Sequence, residues 1–164
     1  MAKRRASAGR VGRRPRSKER TSPEVLLATR YIESSALVAA LLERDLSARA
    51  SIRAQGKRVT SALTLAEAAR AILRGRATGR LSEVDERAAT RGLQMFARRC
   101  DLVGITDAVL ARVGRRFPVE PIRTLDAMHL ATAEELAEPP ALVTIITRDA
   151  RVRDNARALG YAVE

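Results

Sequence analysis

Four acidic residues spread along this chain could do chemistry together: Glu33, Glu67, Asp126 and Asp149. Glu33 closes the run LLATRYIE and Asp149 follows the apolar run ALVTII, so both stand at the ends of expected buried strands. Asp126 opens LDAMHLATAEEL and Glu67 lies in SALTLAEAARAIL, both expected helices. In a parallel α/β sheet, strand ends and the following helix starts gather along one edge, where ligands bind. Carboxylates folded together there repel one another unless a hard cation neutralises them. An oxygen-only ligand set, in a chain with one His and one Cys, suits Mg2+ or Mn2+. The same scarcity leaves little for a zinc site or a Cys–His nucleophile pair. The stretch from Gly75 to Gly79 lacks the Lys-Ser/Thr of a phosphate-binding P-loop.

The hydrophobic pattern predicts the elements that must position these acids. LLATRYI reads as a first strand, with Ser34-Ser35 capping the helix ALVAALLERD. LSARASIRAQ is a second helix, ended by Gly56. RVTSALT reads as the second strand, leading into the helix LAEAARAILRG, which Gly75 should end. Ser82, with Glu83 and Asp85 behind it, starts a long helix through EVDERAATRGLQMFARR. DLVGIT is a short third strand before the helix DAVLARVGRRF. Pro118 and Pro121 mark a loop, LDAMHLATAEELA forms a helix, and Pro139-Pro140 stops it. ALVTII is the strongest strand. RDARVRDNARALG is a last helix capped by Gly160, and YAV a small final strand. Strands alternating with helices predict an α/β fold with a parallel sheet covered on both faces.

Length and composition bound the rest. A chain of 164 residues suits one domain with a substantial core. With 46% hydrophobic but only 2% aromatic residues, that core must be built from Ala, Leu, Val and Ile. No apolar run approaches the ~20 residues of a membrane span, and the polar, basic start is unlike a secretory signal. Cys100 stands alone and cannot form an internal disulfide, in keeping with a cytoplasmic protein. The net charge of +12 is uneven: residues 1–22 hold nine Lys/Arg against Glu19. Residues 1–23 are therefore expected to be a basic, disordered tail, and residues 24–164 the folded domain. Such a tail suits a polyanion, most simply nucleic acid.

The acid-bearing segments resemble the PIN-domain ribonucleases, and among them the VapC-type toxins of bacterial toxin–antitoxin pairs. The matching pieces are YIESSALVAALLERD, TSALTLAEAARAI and LDAMHLATAEELAEPPALVTIITRDARVRDNARALGYAV, in the family's order over about residues 29–163. No single piece is specific; their order and spacing together carry the resemblance. It implies a three-layer α/β/α domain with a central, mainly parallel sheet, whose acidic pocket binds Mg2+ or Mn2+ and hydrolyses RNA phosphodiester bonds. By position, Glu33, Glu67, Asp126 and Asp149 take the four catalytic places, with Glu33, Asp126 and Asp149 as metal ligands. Ser35 and Thr147 match the family's supporting hydroxyls, and Arg148 and Arg151, beside the last acid, are placed to bind RNA phosphates. An antitoxin that masks the pocket, often by offering an Arg, and a homodimeric toxin are implied as partners. One departure stands out: the family's first acid is normally Asp, and Glu33 carries its carboxylate ~1.5 Å further.

Each site residue also has a plainer reading. A stripe of Leu65, Ala69, Ile72 and Leu73 would turn Glu67 away from the core, as a solvated residue. Asp126 and Asp149 could simply cap helices, and Asp154 reads as solvated or paired with an Arg. His129 falls on the stripe Leu125, His129, Thr132, Leu136, the spacing of a packed, hydrogen-bonded histidine rather than a ligand. The function expected is a metal-dependent endoribonuclease acting as a toxin. The alternatives are a catalytically degenerate PIN-like RNA-binding module and, with no convergent acids, a structural basic protein. The tail has its own test. If about four of its basic residues contact RNA, deleting residues 1–22 flattens the log K versus log salt slope by ~3, while cleavage at saturating RNA persists.

Overall fold

Short runs rich in β-branched residues form the strands, and Ala-rich amphipathic segments form the helices around them. The computed structural model describes residues 28–164, so the tail expected over residues 1–23 lies outside them. The strands are β1 (Thr29–Ile32), β2 (Lys57–Ser61), β3 (Asp101–Val103), β4 (Val143–Ile146) and β5 (Ala162–Val163). The helices are α1 (Ser34–Leu42), α2 (Leu46–Arg53), α3 (Ala62–Ala77), α4 (Glu83–Ala97), α5 (Asp107–Val113), α6 (Thr124–Glu134) and α7 (Ala150–Ala158). All four strand pairings are parallel, in the order β3-β2-β1-β4-β5. β1 is central and buried along its whole length, as a strand covered on both faces must be.

The order sets the location of the site. The chain winds outward through β2 and β3, then returns to the other side of β1 to lay down β4 and β5. The winding direction reverses between β1 and β4, and at such a switch point the connections leave in opposite directions and open a crevice at the carboxyl edge. Glu33 follows β1 directly, and the segment Thr147–Asp149 follows β4.

The two faces of the sheet pack separately. Tyr31, Val59 and Ile145 pack with Leu130, Ala131 and Val152 from α6 and α7. Ile32 and Ile146 pack with Leu37 and Ala68 from α1 and α3. Much of the buried helical surface is Ala (Ala36, Ala39, Ala40, Ala68, Ala127, Ala131), so the helices approach the sheet closely without large aromatic side chains.

Several expected boundaries move, three of them for a clear local reason. Glu33, rather than Ser34 or Ser35, is the N-cap of α1; its side chain accepts from the Ser35 N–H. β2 stops at Ser61 instead of running to Thr64, because Ser61 accepts from the Thr64 N–H at 3.1 Å and starts α3. Side-chain-to-backbone bonding of this kind competes directly with the strand ladder. α3 continues through Gly75 to Ala77. Gly75 is there for packing, since a Cβ would come within 2.8 Å of the Leu81 side chain. The expected start of α4 is present as a reciprocal capping box between Ser82 and Asp85. Ser82→Ala leaves Asp85 without its reciprocal partner and should cost about 1 kcal/mol. Urea unfolding would read this as a lower midpoint with an unchanged slope.

Candidate active site at the carboxyl edge of the sheet

Glu33 is the most buried of the four acids, at 3% exposure. Among the described residues it makes no ion pair shorter than the 3.6 Å to His129 Nε2, and hydrogen bonds hold it. Oε1 accepts from the Ser34 hydroxyl at 2.7 Å and the Ser35 N–H at 3.0 Å. Oε2 accepts from the Thr147 hydroxyl at 2.8 Å and from the Ser35 hydroxyl. The Ser35 oxygen in turn accepts the N–H groups of Arg148 and Asp149, at 2.7 and 3.0 Å. Thr147 Oγ1 also accepts from the Asp149 N–H, at 3.0 Å. This network ties the β1–α1 turn to the β4–α7 turn and fixes Asp149 in place. Ser35 and Thr147, singled out from sequence, lie at its centre. Ser34 is a further member that sequence reasoning did not assign, although its place next to Glu33 was the available signal.

Glu67 reaches the same edge from α3, its side chain 27% exposed. The buried face of α3 is Thr64, Ala68, Ala71, Ile72 and Gly75, while Leu73 is half exposed. The expected stripe was thus rotated, and Glu67 flanks the buried face instead of opposing it. Its Oε2 lies 2.7 Å from His129 Nε2 on α6, so the bond joins the two helical layers over the sheet edge. Burial works against the charged form of Glu67, but hydrogen bonds to His129 and Ser34 outweigh it and hold the carboxyl below its usual range. His129 is 2% exposed and bonded, as expected for a packed histidine, whereas Leu125 of its expected stripe is 45% exposed. Glu33, Glu67 and His129 bring ligand-type atoms within 4.8 Å of one another.

Asp126 and Asp149 form the other half of the site. Asp126 lies in the first turn of α6, yet α6 has no side-chain cap bond. Asp126 Oδ2 is buried with no hydrogen-bond partner among the described residues. Burial raises its carboxyl above the ordinary range; the charges of Asp149 and Glu33 add to the rise, while Arg123 and Arg151 oppose it. Asp149 does cap its helix, accepting from the N–H groups of Arg151 and Val152 at 2.7 and 3.2 Å through one oxygen, Oδ1. The four acids lie along one edge, where Asp149 and Glu33 act on Asp126 through their charges, while the group within ligand distance among the described residues is Glu33, Glu67 and His129, without Asp126 and Asp149. The donor set is oxygen-rich, and a buried carboxylate oxygen without a donor is an atom that a divalent cation would satisfy. The residues present fit such an ion.

The arginines differ from each other. Arg148 is tethered to α2 by Asp45 at 2.9 Å and Ser47 at 3.2 Å, so part of its charge is spent inside the fold. Arg151 is exposed and close enough to Asp126 to lower its carboxyl. Asp154 pairs with Arg153 at 3.7 Å, outside the acid group.

The chain is similar to known proteins in sequence and in fold. Residues 30–158 match the PIN domain family. Ribonuclease VapC46 of Mycobacterium tuberculosis is 39% identical over 139 residues, covering 84% of this chain and 97% of that protein. Ribonuclease VapC35 of the same species is 35% identical over 137 residues, covering 81% and 93%. In fold, the chain is similar to VapBC2 from Rickettsia felis bound to a promoter DNA fragment, with TM-score 0.57 and 14% identity over 83% of this chain and 97% of that one. It is also similar to VapBC-1 from nontypeable Haemophilus influenzae, with TM-score 0.53 and 13% identity over 83% and 96%. The chain belongs to the PIN-domain family, among its VapC-type members.

The contrast between Glu33 and Asp126 has opposite consequences for stability. Asp126 has a raised folded pKa, so its protonated form is favoured by folding, and stability is lost as pH rises through its unfolded pKa towards the folded value. At neutral pH without metal, Asp126→Asn should therefore raise the melting temperature, by an amount that solvent screening keeps small. Glu33→Gln places an amide NH2 against hydroxyl and N–H donors and should cost about 2 kcal/mol. Thermal melts of both variants in chelator check the two signs.

Proposed function

We propose that this protein is a metal-dependent endoribonuclease, the toxin of a cytoplasmic toxin–antitoxin pair. The observation that carries the reading is Asp126 Oδ2, buried at the sheet switch point without a hydrogen-bond partner among the described residues, with Asp149 and Glu33 raising its carboxyl further. The ribonuclease names of its relatives and the VapBC assemblies among its structural neighbours point the same way.

In this reading Glu33, Asp126 and Asp149 hold Mg2+ or Mn2+. When bound, such an ion supplies positive charge to a phosphate oxygen and acidifies a coordinated water. Glu67 orients the attacking water and takes its proton through the oxygen that His129 leaves free. Ser35 and Thr147 keep Glu33 and the Asp149 backbone from swinging apart. Arg151, exposed beside the acids, steadies the RNA backbone, and Arg148 assists with whatever charge Asp45 leaves. None of this uses the ribose 2′-hydroxyl, so products carry a 5′-phosphate and a 3′-hydroxyl. With so few aromatic side chains, recognition rests on RNA shape and backbone rather than stacking.

Unpartnered, such an enzyme would damage its host, which supports an antitoxin. A cavity of about 550 Å3 beside α1, α2 and α4 suits one. Leu37, Leu41, Ile52 and Phe96 line it, and Arg44, Arg49, Arg53, Arg58, Arg80 and Arg99 surround it with Asp85 as the one acid. Arg58 Nε is buried there without a hydrogen-bond partner among the described residues. An acidic amphipathic segment matches both features. A homodimer is the expected toxin unit. No helix among the described residues is long and apolar enough to cross a membrane.

One observation favours the rival, a degenerate RNA-binding module: Glu33 already accepts four donors. Cleavage of a structured RNA by the partner-free protein separates the two. The enzyme reading expects cutting with Mg2+ or Mn2+ that stops with chelator. Asp126→Asn and Asp149→Asn should each reduce it at least about 100-fold while remaining folded, beyond the 10–100-fold typical of groups one shell further out. RNA binding without any cleavage would favour the rival.

A further inference from the structure

His129 has a bonding pattern that core packing alone does not require. A buried imidazole can be satisfied by a backbone carbonyl on its own element. His129 instead directs Nε2 to a carboxylate on the opposite helical layer, at 2.7 Å, while the Tyr31 hydroxyl lies 3.4 Å from Nδ1. A carboxylate offers only acceptor oxygens, so the 2.7 Å contact with Glu67 Oε2 takes its hydrogen from Nε2. The Ser34 hydroxyl also lies against Glu67, but it donates to Glu33 Oε1 at 2.7 Å. His129 is thus the side chain that donates to Glu67 from across the sheet edge.

The same nitrogen lies 3.6 Å from Glu33 Oε1. An N–H directed between two carboxylates lowers their repulsion and sets their spacing. It also engages Glu67 through Oε2, so Oε1 takes no part in this bond. The anchor itself is firm: Tyr31 and His129 are 1% and 2% exposed, and Thr132 on the next turn of α6 is fully buried.

We infer that His129 is a positioning residue: its Nε2–H, backed by Tyr31, fixes Glu67 so that Oε1 alone faces the attacking water. The inference rests on the ribonuclease reading for its kinetic consequences, but the hydrogen bond can be measured without activity. A competing arrangement has His129 bind the metal together with Glu33 and Glu67, whose atoms are close enough.

The chain has a single histidine, so 15N-histidine labelling of the full-length protein gives one imidazole to observe by NMR. The expected spectrum has Nε2 protonated, both without metal and at saturating Mg2+. An unprotonated Nε2 without metal, or loss of its proton on adding Mg2+, would overturn the inference, the second by making His129 a ligand. Glu67→Gln should shift the imidazole signals, and unmoved signals would also overturn it. For kinetics, His129→Leu should lower kcat about 10–100-fold with KM nearly unchanged, and Mn2+ affinity, read by electron paramagnetic resonance, should fall far less than kcat. His129→Gln, which returns an N–H near the Nε2 position, should recover part of kcat. A folded His129→Leu with the parent's kcat, or no recovery with Gln, would rule out positioning. If the parent protein cuts no RNA, the ribonuclease reading fails, and the NMR spectra of the parent and Glu67→Gln still decide the His129–Glu67 bond. Those two spectra also decide it if His129→Leu does not fold.

Discussion

The buried carboxylate of Glu33 is the constraint on which the rest of the site depends. A carboxylate this deep is tolerable only if its lone pairs are filled, because hydrogen bonds to a charged group contribute about 1.5–3 kcal/mol each and leaving them unmade costs more. Ser34, Ser35 and Thr147 fill them, and two of those hydroxyls simultaneously hold the N–H of Asp149. The turns after the neighbouring strands β1 and β4 therefore cannot move independently.

Asp126 sits a short distance away under the opposite conditions. Its Oδ2 is buried without a donor, and neighbouring negative charge makes its ionised form unfavourable. An unsatisfied buried acceptor costs about 1–3 kcal/mol, and native folds carry few of them. The fold thus spends stability at one carboxylate and recovers it at another within the same crevice. Uneven satisfaction of this kind is expected where a site must leave ligand positions open, and it separates Asp126 from an ordinary helix-capping aspartate such as Asp85.

Sheet topology explains why these residues meet. Parallel strands of four or five residues at the centre place the starts of α1, α3 and α7 along one edge, and the reversal of winding between β1 and β4 opens the gap there. α6 arrives from the other layer with Asp126 and His129 three residues apart, so one turn of helix serves both halves of the site. The Ala-rich packing of the layers brings α3 and α6 near enough for Glu67 and His129 to bond across the edge.

Much of this was legible in the chain itself. Hydrophobic runs, Ser82 with Asp85, and the proline breaks determined the element order and the parallel α/β class, because local propensity and period act over neighbouring residues. The ordered acid-bearing motifs determined which carboxylates to consider. Tertiary structure decided the matters that depend on distant partners. α3 begins at Ala62 because Ser61 caps it, and its buried face turns at Ala68, Ala71 and Ile72, which no single-helix period resolves when Ala and Leu occupy every side. Glu67 could look solvated from its own helix, yet its partner is 62 residues away on another layer. Likewise Asp126 and Asp149 both read as caps, and only folding showed that Asp149 caps while Asp126 Oδ2 remains without a partner. The sequence by itself determined the cast and the scaffold. Which carboxylates are satisfied and which are left open was decided by contacts between residues far apart in the chain, because hydrogen bonding and desolvation are set by neighbours in space.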